Sequence, residues 1–232
     1  MRMKMIKIGN TDINPTKIIC LGRNYLDHIK ETNSPVPKEP VFFAKTLNTL
    51  ITNNDPIIYP KVLYDDEEKR SVDHEVELAF VISKSCKNIK AQNAYEYIQG
   101  YTIFLDMTAR TMQKTDRNIN LPWYRSKNFD TFGPIGPKLV SLDEIEDPHD
   151  LNIALSVNGS IKQSSNTKHL LFRIPEIIDY ISKYVTLEKG DIVATGTPGG
   201  ISPVLPGDVI EASIGKIGII RHEVILEDIN NK

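Results

Sequence analysis

The stretch VDHEVELAFVIS, residues 72–83, decides the fold of this chain. Its first half alternates polar and apolar residues and its second half is apolar and rich in β-branched residues, a pattern that predicts a buried strand. A second, nearly continuous apolar run covers residues 101–105, and Asn158-Gly159 follows an alternating segment, which predicts a hairpin. Further strands are predicted at residues 1–8, 18–21, 191–194, 209–214 and 219–226.

Helical patterns are fewer than strand patterns. Residues 174–184 place Ile174, Ile177, Ile178 and Ile181 at the i, i+3, i+4, i+7 spacing of one helix face. Shorter helices are predicted at residues 24–30, 92–98 and 107–114. Because strands and helices do not alternate strictly, we expect an α+β fold with a mostly antiparallel or mixed sheet.

Composition excludes several classes of protein. The 232 residues carry 28 Lys and Arg against 30 Asp and Glu, a formal net charge of −2. A nucleic-acid partner is not expected, since phosphate-binding domains carry a basic excess. No apolar run approaches the length of a membrane span, and no signal-peptide core is present at the N-terminus. Two cysteines outside any CxxC pair fit a reducing cytoplasm.

Glu75 and Glu77 are the first candidate functional residues. In a strand, residues two apart face the same side, about 7 Å apart along the backbone. Like charges held this close repel each other unless they are solvated or share a cation. A wet face of an amphipathic strand and a divalent metal site both remain open from this stretch alone.

Asp106 directly follows the buried run at residues 101–105 and needs a partner if it is buried there. It can cap a helix that begins at Met107, or it can supply a third oxygen ligand beside Glu75 and Glu77. Three carboxylates with no Cys or His ligand suit Mg²⁺ or Mn²⁺ better than Zn²⁺.

His28 and Glu31 are three residues apart in a predicted helix and share one face. A histidine held by a carboxylate is a candidate general base for water, and a surface pair near a helix end is the alternative. Residues 195–200, TGTPGG, form a glycine-rich loop after a strand, where the backbone can approach an anion closely.

Together these segments resemble the fumarylacetoacetate hydrolase family, and are most similar to its short acylpyruvate hydrolase and oxaloacetate decarboxylase members. The matching stretches occur in the family order between about residues 17 and 214: Gly22-Arg23-Asn24-Tyr25 with His28 and Glu31, Phe43-Ala44-Lys45, His74-Glu75-Val76-Glu77-Leu78, Gly100-Tyr101 to Gln113, Leu121-Pro122-Trp123 with Lys127, Val157-Asn158-Gly159, and Gly190-Asp191 to Gly200.

The resemblance implies a strand-rich mixed β-roll with a few short helices, assembled as a homodimer. It implies one catalytic domain over residues 1–232, with an N-terminal strand segment at 1–16, a core at 17–226 and a tail at 227–232. The implied site residues are a Mg²⁺ or Mn²⁺ ion held by Glu75, Glu77 and Asp106, a catalytic set of His28, Glu31 and Lys127, and substrate contacts from Arg23, Lys45, Gln113 and Thr197.

The implied activity is metal-dependent hydrolysis of a carbon–carbon bond in acylpyruvates or related 2,4-diketo acids, which releases pyruvate through an enolate. The substrate is then a small 2-keto acid. Oxaloacetate decarboxylation, or isomerase, hydratase or decarboxylase work on longer 2-oxo-dioic acids in aromatic catabolism, are the alternative activities. A non-catalytic ligand-binding module fits less well, because the three carboxylates are kept together with His28, Glu31 and Lys127. A structural protein fits less well still, since these polar groups would then be an uncompensated cost.

Overall fold

A computed structural model of the chain describes residues 5–228. The strands are β1 Ile6–Ile8, β2 Thr11–Ile13, β3 Ile18–Gly22, β4 Val41–Lys45, β5 Leu50–Thr52, β6 Ile57–Tyr59, β7 Val72–Asp73, β8 Val76–Ile82, β9 Ile98–Leu105, β10 Thr108–Ala109, β11 Gly133–Val140, β12 Asn152–Val157, β13 Ser160–Asn166, β14 Ile192–Ala194, β15 Pro203–Val204, β16 Val209–Ile214 and β17 Gly218–Leu226. The α-helices are α1 Leu26–Glu31, α2 Lys61–Tyr64, α3 Arg110–Asn118, α4 Tyr124–Lys127 and α5 Ile174–Tyr184, and the 3₁₀ turns are Leu47–Thr49, Ala91–Tyr97, Leu142–Glu144 and Thr167–His169.

The strands form a mixed, mostly antiparallel roll, which confirms the predicted α+β fold. A seven-stranded sheet has the order β4-β3-β14-β8-β9-β11-β5, and a five-stranded sheet has the order β13-β12-β16-β17-β6. Only the β14–β3, β11–β5 and β17–β6 pairs are parallel among the described strands. Small sheets of β1-β2 and β10-β7-β15 complete the architecture.

Strand β8 lies at the middle of the large sheet and is buried along its whole length. One of its faces, with Leu78 and Phe80, belongs to the larger hydrophobic core, which also contains the apolar sides of α5 and of the five-stranded sheet. Its other face, with Ala79 and Val81, belongs to a second and smaller core. Because both faces of β8 are buried, residues 72–83 alternate between polar and apolar side chains only in part.

Helix α5 and the hairpin of β12 and β13 appear where the sequence predicts them. The four isoleucines of α5 are all buried, and Pro175 lies in its first turn, where a missing N–H costs nothing. In the hairpin, Asn158 and Gly159 both take positive φ angles, as a tight turn between twisted strands requires.

The three shorter helix predictions are correct only in part. Residues 107–109 continue as extended chain because Thr108 pairs with Asp73 in the sheet, so α3 begins at Arg110 rather than at Met107. The helix predicted at 92–98 is a 3₁₀ helix, and α1 begins at Leu26 rather than at Asn24. The side chain of Asn24 bonds the backbone of Phe172 and Thr195, which holds Asn24 outside the helix.

The predicted N-terminal strand and C-terminal tail lie partly outside the described residues, at 1–4 and 229–232. Within the described part, Glu227 still contacts the fold: its N–H donates to the Tyr59 carbonyl and its carboxylate accepts from the Lys61 N–H. No helix among the described residues is long and apolar enough to cross a bilayer.

Candidate active site

Strand pairing brings the three predicted metal ligands to one end of the large sheet. Glu77 lies opposite Phe104 in the antiparallel β8–β9 register, and the Asp106 N–H donates to the Glu75 carbonyl at 2.9 Å. Glu75, Glu77 and Asp106 therefore share one face. Glu75 and Glu77 are two residues apart along the chain, and Asp106 is the cross-strand neighbour of Glu75. One oxygen from each carboxylate lies within 4.8 Å of one from each of the others.

Asp106 does not cap a helix, so that alternative is wrong. Its Oδ1 accepts from Lys45 Nζ at 2.7 Å and its Oδ2 accepts from Lys127 Nζ at 2.5 Å. Lys127 Nζ also donates to Glu75 Oε2 at 2.8 Å, and the other oxygen of Glu75 accepts from Arg110. The wet-face alternative is wrong as well, since all three carboxylates are buried.

Glu77 differs from the other two carboxylates in having no cationic partner among the described residues. It is 1% exposed and accepts a hydrogen bond from the Gly196 N–H at 2.8 Å. A buried carboxylate without a counter-ion is costly, and a divalent cation between three carboxylates supplies one. The donor set therefore fits a hard divalent ion.

The pKa values of the two glutamates move in opposite directions. Burial raises the pKa of Glu77 well above its usual value, and the charges of Asp106 and Glu75 raise it further. Burial acts the same way on Glu75, but the charges of Lys127 and Arg110 outweigh it and hold the pKa of Glu75 far below its usual value. The surroundings of Glu75 therefore favour its ionised form, whereas those of Glu77 favour its neutral form in the absence of a cation.

His28 and Glu31 form the predicted pair on α1. His28 Nδ1 lies 3.4 Å from Glu31 Oε2, and the Gly200 N–H reaches the two Glu31 oxygens at 3.1 and 3.2 Å. Burial alone would raise the pKa of Glu31, but the hydrogen bonds from His28 and Gly200 lower it. An ionised Glu31 favours a proton on His28 Nδ1 and leaves Nε2 as the proton acceptor.

The glycine-rich loop does approach anions, and these anions are side chains of the protein itself. Gly196 binds the Glu77 carboxylate and Gly200 binds the Glu31 carboxylate through backbone N–H groups. Both glycines have positive φ angles, of +94° and +98°. The loop therefore joins the carboxylate cluster to the His28–Glu31 pair.

A cavity of about 350 Å³ contains both groups. Arg23, Gln113, Thr197 and Lys127 line it together with His28, Glu31 and the three carboxylates. Lys45 is not among the lining residues. It lies behind Asp106, where its ammonium donates to Asp106, to the Met107 carbonyl and to the Lys127 carbonyl, so that all its hydrogens are used within the protein.

Sequence reasoning missed two buried residues that hold the site together, Arg110 and Gln163. Arg110 bridges Asp73 and Glu75, and its Nη1 donates to Gln113 Oε1 at 2.6 Å. Gln163 accepts from the Val76 N–H and donates to Thr197 Oγ1 at 2.8 Å. The i, i+3 spacing of Arg110 and Gln113 is a local signal that could have identified Arg110 as a site residue. Gln163 lies on a hairpin strand far from the site in sequence, so no comparable signal identifies it.

With all four carboxylates ionised, the buried residues around the inner end of the cavity carry a formal charge of −1, from three cationic side chains and four carboxylates: Lys45, Arg110, Lys127, Asp73, Glu75, Glu77 and Asp106. A divalent cation would change that charge to +1. An anionic substrate is then attracted to a site of low dielectric, where electrostatic interactions are strong.

Comparison with known proteins agrees with this geometry. Residues 17–225 match the family described as fumarylacetoacetate (FAA) hydrolase C-terminal. An uncharacterized protein of Pyrococcus abyssi is 49% identical over 95% of this chain and 95% of its own. The mitochondrial oxaloacetate tautomerase of Xenopus laevis is 44% identical over 91% of this chain and 66% of that protein.

The solved structures include fumarylpyruvate hydrolase from Pseudomonas aeruginosa in complex with Mn²⁺ and pyruvate. It is 29% identical, covers 97% of both chains and superposes with a TM-score of 0.87. Both relatives named by an activity are enzymes, and the solved one holds a divalent ion. The chain belongs to the fumarylacetoacetate hydrolase family.

Proposed function

We propose that this chain is a divalent-metal-dependent enzyme that interconverts the keto and enol forms of a short 2-oxo acid, with oxaloacetate as the substrate. The observation that carries the proposal is the meeting, in one cavity, of a buried carboxylate triad and a histidine held by a carboxylate. The 44% identity to an oxaloacetate tautomerase supports this choice of substrate.

Glu75, Glu77 and Asp106 would hold Mg²⁺ or Mn²⁺. When bound, such an ion polarises a 2-oxo group and stabilises negative charge that develops on its oxygen. Glu77 has an orientation fixed by the Gly196 N–H, and Asp106 by Lys45, so the protein prepares the ligand geometry in advance.

His28 is the base in this scheme. Its Nε2 removes a proton from C3 of the keto form, the electron pair of the C3–H bond becomes the C2–C3 double bond, and charge moves to the C2 oxygen. Glu31 stabilises the resulting imidazolium. Protonation of the C2 oxygen by the imidazolium or by solvent completes the enol, and the reverse sequence returns the ketone.

Lys127 assists by stabilising the negative charge that develops on the C2 oxygen of the substrate. Its ammonium donates to Glu75 and Asp106, and its third N–H can point to the developing enolate. The charges of Asp106 and Glu75 outweigh burial and raise the pKa of Lys127, so it stays a cation throughout. Gln113 is held through its carbonyl oxygen by Arg110, which leaves its amide N–H groups to donate to a substrate carboxylate.

Keto–enol exchange of oxaloacetate, followed by enol absorbance, tests the proposal. The purified chain with Mg²⁺ or Mn²⁺ should accelerate the exchange, and His28→Ala should reduce the rate at least about 100-fold. His169→Ala, which changes an exposed histidine on a 3₁₀ turn, is the matched control and should keep the full rate. Absence of acceleration by the folded, metal-loaded wild type would rule the proposal out.

Hydrolysis of an acylpyruvate is the second candidate. The same His28–Glu31 pair can take a proton from water, and the resulting hydroxide can attack the distal carbonyl to release pyruvate as its enolate. The similarity to fumarylpyruvate hydrolase over 97% of both chains favours it. Release of pyruvate from acetylpyruvate or fumarylpyruvate, at a rate that His28→Ala abolishes, would establish this activity.

Decarboxylation of oxaloacetate can proceed through the same enolate but needs no attack by water, so we expect it to depend less on His28. Isomerisation of longer 2-oxo-dioic acids remains a further prediction from the resemblance. The homodimer and the cytoplasmic location also stay predictions. The two cysteines, Cys20 and Cys86, are buried and unpaired, in keeping with a reducing compartment.

A further inference from the structure

The outer half of the cavity carries positive charge that the proposed mechanism does not use. Arg23, Lys114 and Arg117 line it, beyond the buried carboxylates of the inner end. No acidic side chain among the described residues forms an ion pair with any of the three. This separates them from Arg110 and Lys127, whose charges are matched by carboxylates.

Helix α3 extends from the inner end of the cavity to the outer end. Arg110, Gln113, Lys114 and Arg117 fall at the i, i+3, i+4, i+7 spacing of one helix face, and all four line the cavity. Arg110 binds Glu75, while Arg117 lies two turns further on, about 10 Å along the axis. A substrate beside this face therefore meets donors along its whole length.

Arg23, the residue that follows β3, lines the same cavity. It adopts a φ of 60°, which a residue with a side chain rarely does, and its guanidinium lies 5.8 Å from the centre of the Trp123 ring. Trp123 is packed against Gly22, where an added Cβ would lie 2.9 Å from the ring. The backbone and the tryptophan together fix the position of Arg23 at the cavity wall.

The guanidinium groups of Arg23 and Arg117 are close enough to affect each other. Partial burial lowers the pKa of Arg23, and the charge of Arg117 lowers it further. Arg117 also donates to Ser34 Oγ at 3.4 Å, on the segment that follows α1. Two neighbouring arginines without an acidic partner repel each other, and a bound carboxylate would relieve that repulsion through charge-assisted hydrogen bonds.

We propose that Arg117 and Arg23 bind the second carboxylate of the substrate, so that the enzyme selects 2-oxo dicarboxylates over 2-oxo monocarboxylates. The inference rests on the proposed function for the placement of the first carboxylate and the 2-oxo group at the inner end. Arg117 is thereby a specificity-determining residue, distant from the reacting atoms.

Oxaloacetate and its 4-methyl ester form a matched pair of probes, since they differ by the one charge in question. Their dissociation constants are measured by calorimetry on the full, Mg²⁺-loaded chain. Fluorescence of Trp123, the single tryptophan of the sequence and a residue of the cavity wall, gives a second readout. We expect the wild type to bind the dicarboxylate about ten-fold more tightly or better, as charge-assisted hydrogen bonds typically provide.

Arg117→Leu should weaken oxaloacetate binding about ten-fold and leave the ester within about two-fold of the wild type. Arg117→Lys should keep part of the preference, because it keeps the charge but loses the planar pair of donors. Arg221→Leu, which removes an exposed arginine on β17, is the matched control and should change neither constant. Melting temperatures verify that each variant is folded.

Equal affinity of the wild type for both probes would overturn the inference, and so would an equal loss of both in Arg117→Leu. These outcomes are independent of turnover. If oxaloacetate is not tautomerised but the charge preference is present and depends on Arg117, the proposed function fails and the carboxylate subsite stands. If tautomerisation occurs with no charge preference, the proposed function stands and the subsite fails.

Discussion

Glu75 lies just before β8 and Glu77 lies on it, two residues apart on one face, but their electrostatic surroundings differ. Glu75 contacts Arg110 and Lys127, so its charge is balanced without any metal. Among the described residues, Glu77 accepts a hydrogen bond only from the Gly196 N–H. Replacing one or the other by glutamine should therefore affect the stability of the metal-free protein differently.

Glu77→Gln keeps the size of the side chain and replaces a buried carboxyl group that has no cationic partner among the described residues. We expect the free energy of unfolding of the metal-free protein to stay the same or rise by about 1 kcal/mol, since an isolated buried carboxylate is unfavourable. Affinity for Mn²⁺ should fall at least ten-fold. Urea unfolding in EDTA and calorimetric titration with Mn²⁺ measure the two quantities.

Glu75→Gln is the matched comparison on the same face. It leaves Arg110 and Lys127 short of a counter-charge in a buried place, and breaking a buried pair typically costs about 3 kcal/mol. Both variants should lose metal affinity, but only Glu75→Gln should lose stability without metal. A metal-free Glu77→Gln protein less stable than Glu75→Gln would contradict the assignment of the charges.

At the scale of elements, the loop at residues 195–200 connects the carboxylate cluster with the His28–Glu31 pair. It follows β14 in the large sheet, and its backbone holds Glu77 at one end and Glu31 at the other. At Gly200 a Cβ would lie 2.1 Å from the Lys162 carbonyl of β13, a backbone atom that cannot simply rotate away. The position of the loop, and with it Glu31, thus depends on this glycine.

Gly200→Ala should shift the loop, lengthen or break the contact to Glu31, and lower the His28-dependent rate of keto–enol exchange. It should also lower the free energy of unfolding, by more than the cost of placing an alanine in a left-handed conformation, which is about 1–2 kcal/mol. Gly207→Ala is the control, because its φ of +97° is nearly that of Gly200 while nothing lies within 4 Å of its added Cβ. A wild-type rate in Gly200→Ala would show that the loop does not position Glu31.

Helices, strands and turns that are specified by residues close together in the sequence could be predicted from it. Four isoleucines at helical spacing specify α5, and Asn158-Gly159 specifies the hairpin, because neither depends on a distant partner. The start of α3 could not be predicted from its own residues. Thr108 stays extended because it pairs with Asp73, which is 35 positions earlier and contributes through the sheet.

At the scale of the whole molecule, the same division holds for the site. The shared face of Glu75 and Glu77 follows from the period of a strand, whereas Asp106 joins them only through the β8–β9 register. Gln163 lies in the site through long-range packing that no local pattern contains. The resemblance supplied the candidate set, but not the place of Lys45 behind Asp106.

The carboxylate cluster also joins distant parts of the chain, so metal binding should stabilise the whole fold. Its members come from β8, β9 and their ends, and Lys45, Lys127 and Gly196 attach β4, α4 and the glycine-rich loop to them. Unfolding separates these segments and destroys the site, and an ion that binds only the folded state therefore shifts the equilibrium toward it.

At a free Mn²⁺ concentration 100 times the dissociation constant, the stabilisation should be about 2.7 kcal/mol. For a chain of this size that corresponds to a rise in melting temperature of roughly 5–10 °C, which EDTA should reverse. Glu77→Gln should show little or no rise at the same concentration, and the matched control Glu67→Gln, at an exposed position of a charged run, should behave as the wild type. An equal rise in Glu77→Gln would mean that the ion binds elsewhere, because Glu77 is the carboxylate of this cluster that has no cationic side chain beside it among the described residues, and its loss should weaken binding at the cluster.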